Sequence, residues 1–531
     1  MTTEDLAPEA FEDAPVPRAG STNALKAGAV GLAGVLFMAV ANAAPITAMT
    51  GNVPIAVGYG NGLGAPAGFL VATVVLTLFT VGYVAMARHI TTAGAFYGFV
   101  THGLGQLWGM ATGLLATMAY VVFEGSLIGI FAYFGNYALK DWFGWNVNWL
   151  IIAVVGIVLI ALLGYYDINI AAAFLGFFLV CEVVLLAALA FSVLFKGGGP
   201  DGLMASSINP FNAFKNLPEG GGLGVMASSG TLVAAGSGAL GLFFAFWSWV
   251  GYETTAVYGE ESRNPRRIVP RATLIAVVGL GVFYTFVSWM VIAGNGAKQS
   301  IDLANNDSIG MFTHLAAANL GGNWITYIYI FLMVSGSFAC ALAFHNAASR
   351  YLFAIGRELP ATRKTLGATH GKHKSPHIAS AVQSVITLLL TVGFYFFTVG
   401  GDDPNRGGYI YLYGLLALLG TMAILIVQAI TSLAVIFYFH VKKTHPGNGI
   451  VTGVIPALGG VGMIYVVYLL FSNIDFAGGG AAGSPFFKAI PYIVAVTFVA
   501  GLVLAMVLRS RDPQVYQAIG RTVMEETHER A

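Results

Sequence analysis

The chain reads as an all-α integral membrane protein of twelve spanning helices, and three observations predict this class. First, 57% of its 531 residues are hydrophobic and only 9% are charged. A soluble domain carries about 25% charged residues, so a water-facing globule built from this chain would lack polar surface. Second, runs of about twenty or more apolar residues recur from Ala27 to Leu508, matching a hydrocarbon core ~30 Å thick. Lipid offers the backbone no partners, so spanning segments must be helices or a closed barrel. These runs are apolar on all sides rather than alternating, which excludes the barrel. Third, the basic residues alternate between loops as a twelve-helix topology requires.

The expected spans are 27–57, 66–88, 105–136, 147–165 and 169–195, then 238–258, 270–294, 321–350, 377–399 and 409–439, with two more at 451–472 and 487–508. Six basic residues (Lys140, Lys196, Lys215, Lys298, Arg406 and Lys488) fall in external loops, and the other nineteen of the 25 fall inside. Both termini are therefore expected in the cytoplasm, with residues 27–508 as one transmembrane domain of the cell membrane. Residues 1–26 are polar and mildly acidic, lack the pattern of a signal peptide, and read as a disordered cytoplasmic tail. Residues 509–531 read as a solvated, partly helical cytoplasmic tail. Residues 196–237, rich in Gly, Ser and Ala, read as a flexible external segment, and 300–319 as a short external helix.

A formal net charge of +1 gives no basic bias toward nucleic acid. Cys181 and Cys340 both lie in apolar runs and read as small core residues. The partners expected are the lipid bilayer and a small molecule, and nothing in the sequence sets an oligomeric state.

Two spans carry helix breakers among polar groups. In AVANAAPITAMTGNVP, Pro45 lacks an amide hydrogen and clashes with the preceding turn, beside Asn42, Thr47 and Thr50. In FFAFWSWVGYETTAVYGEE, Gly251 sits among Trp247, Ser248, Trp249 and Tyr252, with Glu253 following. A carboxylate at the bilayer centre costs ~2.5–3.5 kcal/mol and marks function by default. The breaks fall in the first and sixth spans, the pattern of a five-plus-five inverted repeat over about 27–195 and 238–439.

At these residues the sequence resembles the amino acid–polyamine–organocation permease superfamily. FWSWVGYETTAVYGEESRNPRRIVPRA (246–272) is similar to its signature around the sixth helix. AGAFYGFV (93–100), NAASRYLFAIGRELP (346–360) and KSP (374–376) resemble further family motifs. The resemblance implies alternating access, with substrate held between the breaks in helices one and six. Trp247 through Glu253 is most similar to the arginine–agmatine antiporter branch, which implies an aromatic lid at Trp247 and a proton-responsive gate at Glu253. Asn42 falls where that branch also has asparagine. The family's glycine-rich helix-one motif is here Pro45-Ile46-Thr47, poorer by one amide donor and more similar to putrescine importers.

The substrate site expected from this reading comprises Asn42, Ala43, Ala44, Pro45, Ile46, Thr47, Tyr120, Glu124, Trp247, Ser248, Trp249, Val250, Gly251 and Tyr252. The three aromatic residues of the sixth helix would cage an ammonium group by cation–π attraction, ~0.5–2 kcal/mol each. The carbonyls of Val250 and Gly251 would accept from that amine, with Glu124 close to it. Glu182 or Glu253 would carry a coupling proton. Sodium remains open through hydroxyls such as Ser335 and Ser337, and no cofactor is expected. Glu260 and Glu261 are expected to pair with Arg266 and Arg267 to close the cytoplasmic side.

An amino acid or a related amine fits this site better than an anion or a sugar. A membrane-embedded enzyme is disfavoured, because no span offers a His-x-x-x-His, paired Asp or Gly-x-Ser-x-Gly arrangement. GYGNGLGAPAG (58–68) follows no strand and reads as turn chemistry. His370, His373 and His377 have no carboxylate or cysteine to complete a metal site. A substrate sensor would normally add a signalling domain, for which the tails are too short.

Overall fold

The computed structural model describes residues 25, 27–165, 168–215, 238–371, 373–397, 402–472, 481 and 483–520, without the side chains of 168–175 and 406. The expected N-terminal tail other than Leu25, the stretch 216–237 and the chain from 521 onward lie outside the described residues.

Among the described residues there are ten helices long and apolar enough to cross a membrane. The chain enters as α1 (Leu32–Ala43) and α2 (Pro45–Ile55), which with a following π-helical turn make one candidate span, Leu32–Gly60. There follow α3 (Ala65–Ala87), the short α4 (Phe96–Leu104), α5 (Gln106–Phe143), α6 (Trp149–Tyr165) and α7 (Ile168–Phe195). The second half opens with α8 (Gly238–Trp247) and continues through 3₁₀ turns to Glu261. Then come α9 (Pro265–Asn295), α10 (Ala297–Asn306), α11 (Gly310–Leu320), α12 (Asn323–Glu358), α13 (His377–Phe397) and α14 (Gly414–Ile436). Last are α15 (Ile455–Ser472), α16 (Pro485–Arg511) and the short α17 (Pro513–Ala518).

Burial separates the centre from the rim. The most apolar window of α5 is 89% buried and that of the span ending in α14 is 83%, against 33% for the α15 span and 22% for α16. The outer helices therefore present Val461, Ile464, Val496 and Val499 as the lipid-facing surface, while α5 and α12, packed together, form the wall facing the broken helices.

Two expectations change. The external helix expected at 300–319 is two helices, α10 and α11, because Asp307 leaves helical geometry (φ −151°) and its side chain accepts from the Gly310 amide at 2.9 Å. The expected solvated C-terminal tail instead returns to the protein over its described part, which ends at Gly520. Ile519 is fully buried with Tyr97, Met110, Ile355 and Ala505, and the Gly520 amide donates to Glu358 at 2.8 Å. Tyr97 donates to the same carboxylate. An apolar Ile beside a glycine at φ 65° docks where a charged helical end would stay in water.

Candidate functional site

The first break is one residue long. Ala44 adopts left-handed geometry (φ 42°, ψ 76°), ends α1, and hands over to Pro45, whose fixed φ and missing amide hydrogen suit the first turn of α2. Three side chains from other helices satisfy peptide groups at this break. The Cys340 thiol donates to the Asn42 carbonyl at 3.2 Å, and the Tyr284 hydroxyl to the Ala43 carbonyl at 2.7 Å. The Ile46 amide donates to Glu182 at 3.3 Å. A carboxylate there is favoured by the positive end of α2.

The second break runs from Ser248 to Gly251, where Gly251 takes φ 111° and its amide donates to Glu253 at 3.0 Å. The two breaks touch: the Asn42 side chain donates to Thr254 at 2.8 Å, and the main chain of Asn42 packs on Gly251. Beside this contact lies a cavity of about 20 Å³, lined by Asn42, Ala43, Ala44, Thr47, Ala48, Asn52, Leu127, Trp247, Ser248, Val250, Cys340, Phe344 and Tyr413. A water needs ~10–15 Å³, so the cavity is water-sized in this conformation. Thr47 Oγ1 is buried and has no hydrogen-bond partner among the described residues.

Of the expected site, Asn42, Ala43, Ala44, Thr47, Trp247, Ser248 and Val250 line this cavity. The expected three-ring cage does not form: Trp247 and Trp249, two residues apart, face opposite sides of the segment as helical spacing dictates. Trp249 packs on Phe69 and Tyr284 and donates to the Val277 carbonyl at 3.3 Å, while the Tyr252 hydroxyl meets Thr80 at 2.9 Å. Trp247 alone of the three faces the cavity. Its ring stacks on Phe123 at 4.7 Å, and its indole donates to Tyr413 at 2.9 Å. The Gly251 carbonyl, expected to receive an amine, is taken by the Thr254 amide and hydroxyl. Pro45, Ile46, Gly251 and Tyr120 shape the breaks without lining the cavity; the Tyr120 hydroxyl donates to Glu253 at 2.8 Å.

Glu124, expected beside the substrate amine, instead faces His345 and Gln383 on α12 and α13, at 3.0 and 2.7 Å. Ser335 and Ser337 each donate to a carbonyl three residues back in their own helix.

The expected pairing of Glu260 and Glu261 with Arg266 and Arg267 is also revised. Glu261 forms a two-point pair with Arg350, at 2.6 and 3.0 Å, and Glu260 pairs with Arg357. Both arginines belong to α12, whereas Arg266 and Arg267 are exposed in the first turn of α9. Main-chain bonds also join Val30 to both Glu261 and Arg263, each 3.0 Å.

Sequence reasoning missed Ala48, Asn52, Leu127, Cys340, Phe344 and Tyr413. Tyr413 joins the Trp247 indole to Asn52, and Asn52 in turn donates to Ser248 at 2.9 Å. A tyrosine in an apolar run such as YIYLYGLL carries no signal that separates this role from core packing.

A family model described as amino acid permease matches residues 30–498. The chain is similar to the serine/threonine exchanger SteT of Bacillus subtilis (strain 168), 23% identical over 314 residues, or 57% of this chain and 63% of that protein. It is similar to the branched-chain amino acid permease BcaP of the same organism, 25% identical over 151 residues, or 28% of this chain and 30% of that protein. A third relative, an uncharacterized transporter of Mycobacterium tuberculosis (strain ATCC 25618 / H37Rv), is 26% identical over 334 residues, or 62% of this chain and 67% of that protein. The chain thus spans less than two thirds of the length of SteT and less than one third of BcaP.

Proposed function

Because the chain belongs to the amino acid permease family, we propose that it is a secondary active transporter that moves an amino acid across the cell membrane by alternating access, coupled to protons or by exchange. The observation that carries this reading is the contact between two interrupted helices beside a cavity roofed by Trp247. Irregular backbone inside a membrane is tolerated where it is buried in protein or lines a cavity. A water-sized cavity must widen to take an amino acid, so the broken segments have to part during transport. The ion pairs of Glu260 and Glu261 hold the cytoplasmic side shut in this conformation.

In this reading α6 and the interrupted segment Gly238–Glu261 join the ten long spans to make twelve. Residues 27–508 form one domain with repeats over 27–195 and 238–439, and both termini are cytoplasmic. Glu253 or Glu182, each bonded to an amide at one break, carries the coupling proton, and substrate meets the cavity residues with Trp247 as lid.

A second reading is favoured by one observation. The protein's own Glu182 carboxylate sits at the α2 amide end, where Pro45 has already removed a donor. A putrescine-like or ethanolamine-like amine would need no such anion site. Proteoliposomes offered labelled serine, leucine, arginine and putrescine under an inward acid gradient separate the two. Uptake of an amino acid supports the first, and uptake of putrescine alone the second. No uptake of any of the four sinks both. If Glu182→Gln and Glu253→Gln each keep full gradient-driven uptake, neither carries the proton.

A further inference from the structure

We propose that Glu124 and His345 form a proton-binding site on the outer side of the cavity wall, separate from the carboxylates at the two breaks. Glu124 sits at the middle of α5 and is fully buried, as is His345 on α12. His345 Nδ1 lies 3.0 Å from Glu124 Oε2, and His345 Nε2 lies 2.7 Å from the Ser380 hydroxyl. Gln383 donates to the same carboxylate oxygen at 2.7 Å. The other oxygen, Oε1, has no partner among the described residues. Gly164 on α6 makes the room: a β-carbon there would stand 2.7 Å from His345 Nε2 and 2.9 Å from Ser380 Oγ.

The sequence Ser380–His345–Glu124 has the order of a hydrolytic triad. None of the three lines the cavity, and all are buried among four helices, so no ester or amide reaches the hydroxyl. A proton can occupy such a place. With Ser380 donating to Nε2 and Nδ1–H donating to Glu124, the pair carries one net negative charge. One added proton on Nε2, with Ser380 turned to accept, makes it neutral.

Four titratable groups on these helices or beside them are engaged elsewhere, while Tyr351 on α12 stacks on Tyr120. Tyr120 bonds Glu253, Tyr165 bonds His370, Arg350 pairs with Glu261, and His377 packs on Tyr165. The site nevertheless touches the transport machinery. The neighbouring Phe123 and Phe344, 5.2 Å apart, both pack on Trp247, so charge on the pair acts on the register of the two helices that back the lid. That coupling rests on the transport reading; the binding of the proton does not.

The test uses purified full-length protein in lipid nanodiscs, with infrared difference spectra taken from about pH 9 to about pH 5. A titrating carboxyl or imidazole band is expected in the wild type, lost in Glu124→Gln and changed in His345→Asn. Identical spectra from wild type and Glu124→Gln overturn the site. In proteoliposomes, His345→Asn is expected to keep gradient-free exchange of the transported cargo but to lose most acid-gradient-driven accumulation. Ser380→Ala carries the same test should His345→Asn not fold. Wild-type pH dependence in a folded variant overturns the coupling. If the wild type exchanges none of serine, leucine, arginine and putrescine, the transport reading and the coupling both fall, and the spectra alone decide the site.

Discussion

The main chain of Asn42 lies against Gly251, so a β-carbon at position 251 would stand 3.1 Å from the Asn42 carbonyl carbon. Gly251 also sits at φ 111°, a conformation costing other residues ~1–3 kcal/mol. Gly251→Ala should therefore push the two broken helices apart. The expected outcome is a lowered melting temperature and loss of most cargo uptake. A variant that melts and transports like the wild type would show that this contact is not needed.

Trp247 joins the cavity to Phe123 and Tyr413. Losing one aromatic face to a bound ammonium costs ~0.5–2 kcal/mol, or about 2- to 30-fold in affinity. Trp247→Ala should weaken apparent cargo affinity by that range while membrane insertion stays intact; Trp247→Phe should lose less. Undiminished uptake by the alanine variant removes the lid assignment.

Arg350 is buried against Glu261 and stacks over Tyr258 at 5.0 Å. Removing one partner of such a pair leaves a buried charge, at a cost of about 3–5 kcal/mol. Arg350→Ala should loosen the proposed seal, measured as faster maleimide labelling of a Val30→Cys reporter. Arg350→Lys should rescue only part, since an ammonium cannot make the two-point contact. Equal labelling in all variants would contradict the seal.

Ile519 holds the end of the described chain against α4, α5 and α12. Truncating a buried Ile costs about 2–5 kcal/mol, more than a short docked segment can spare. Ile519→Ala should release the segment, read as faster tryptic cleavage at Arg511. Unchanged cleavage would mean that the Glu358 contacts suffice alone.

His89 lies in the loop after α3, its ring stacked on His445 at 4.0 Å. Burial, followed by the neighbouring His445, Arg266 and Arg88, holds its imidazole below the ordinary histidine range. The folded protein thus binds fewer protons here than the unfolded chain. Stability is intact above the unfolded value of ~6.5 and falls as pH drops through the window below it. His89→Gln should flatten the fall in melting temperature on acidification; a slope equal to the wild type's would assign the acid sensitivity elsewhere.

The long spans were legible because lipid leaves composition little choice: α3 was expected at 66–88 and runs from Ala65 to Ala87. The breaks were legible for a local reason, since Pro45 and Gly251 impose themselves on their own turns. Directions of side chains around those turns were not local. Trp247 and Trp249 are two residues apart, about 200° around a helix, so helical spacing already sets them on opposite sides; packing decided which of them meets the cavity and which rests on Tyr284.

By itself, then, the sequence determined a chain that must live in lipid, where its helices lie and which two are interrupted. Hydropathy and backbone stereochemistry act over one turn or one span, and so can be read in order. Only the tertiary structure decided that Glu124 faces His345 rather than the cavity, that Arg350 and Arg357 pair with Glu261 and Glu260, and that Tyr413 accepts from the Trp247 indole. Those choices depend on which faces of helices hundreds of residues apart meet. In a low-dielectric interior each buried charge or polar group goes to the partner that packing brings within about 3 Å, whatever its distance along the chain.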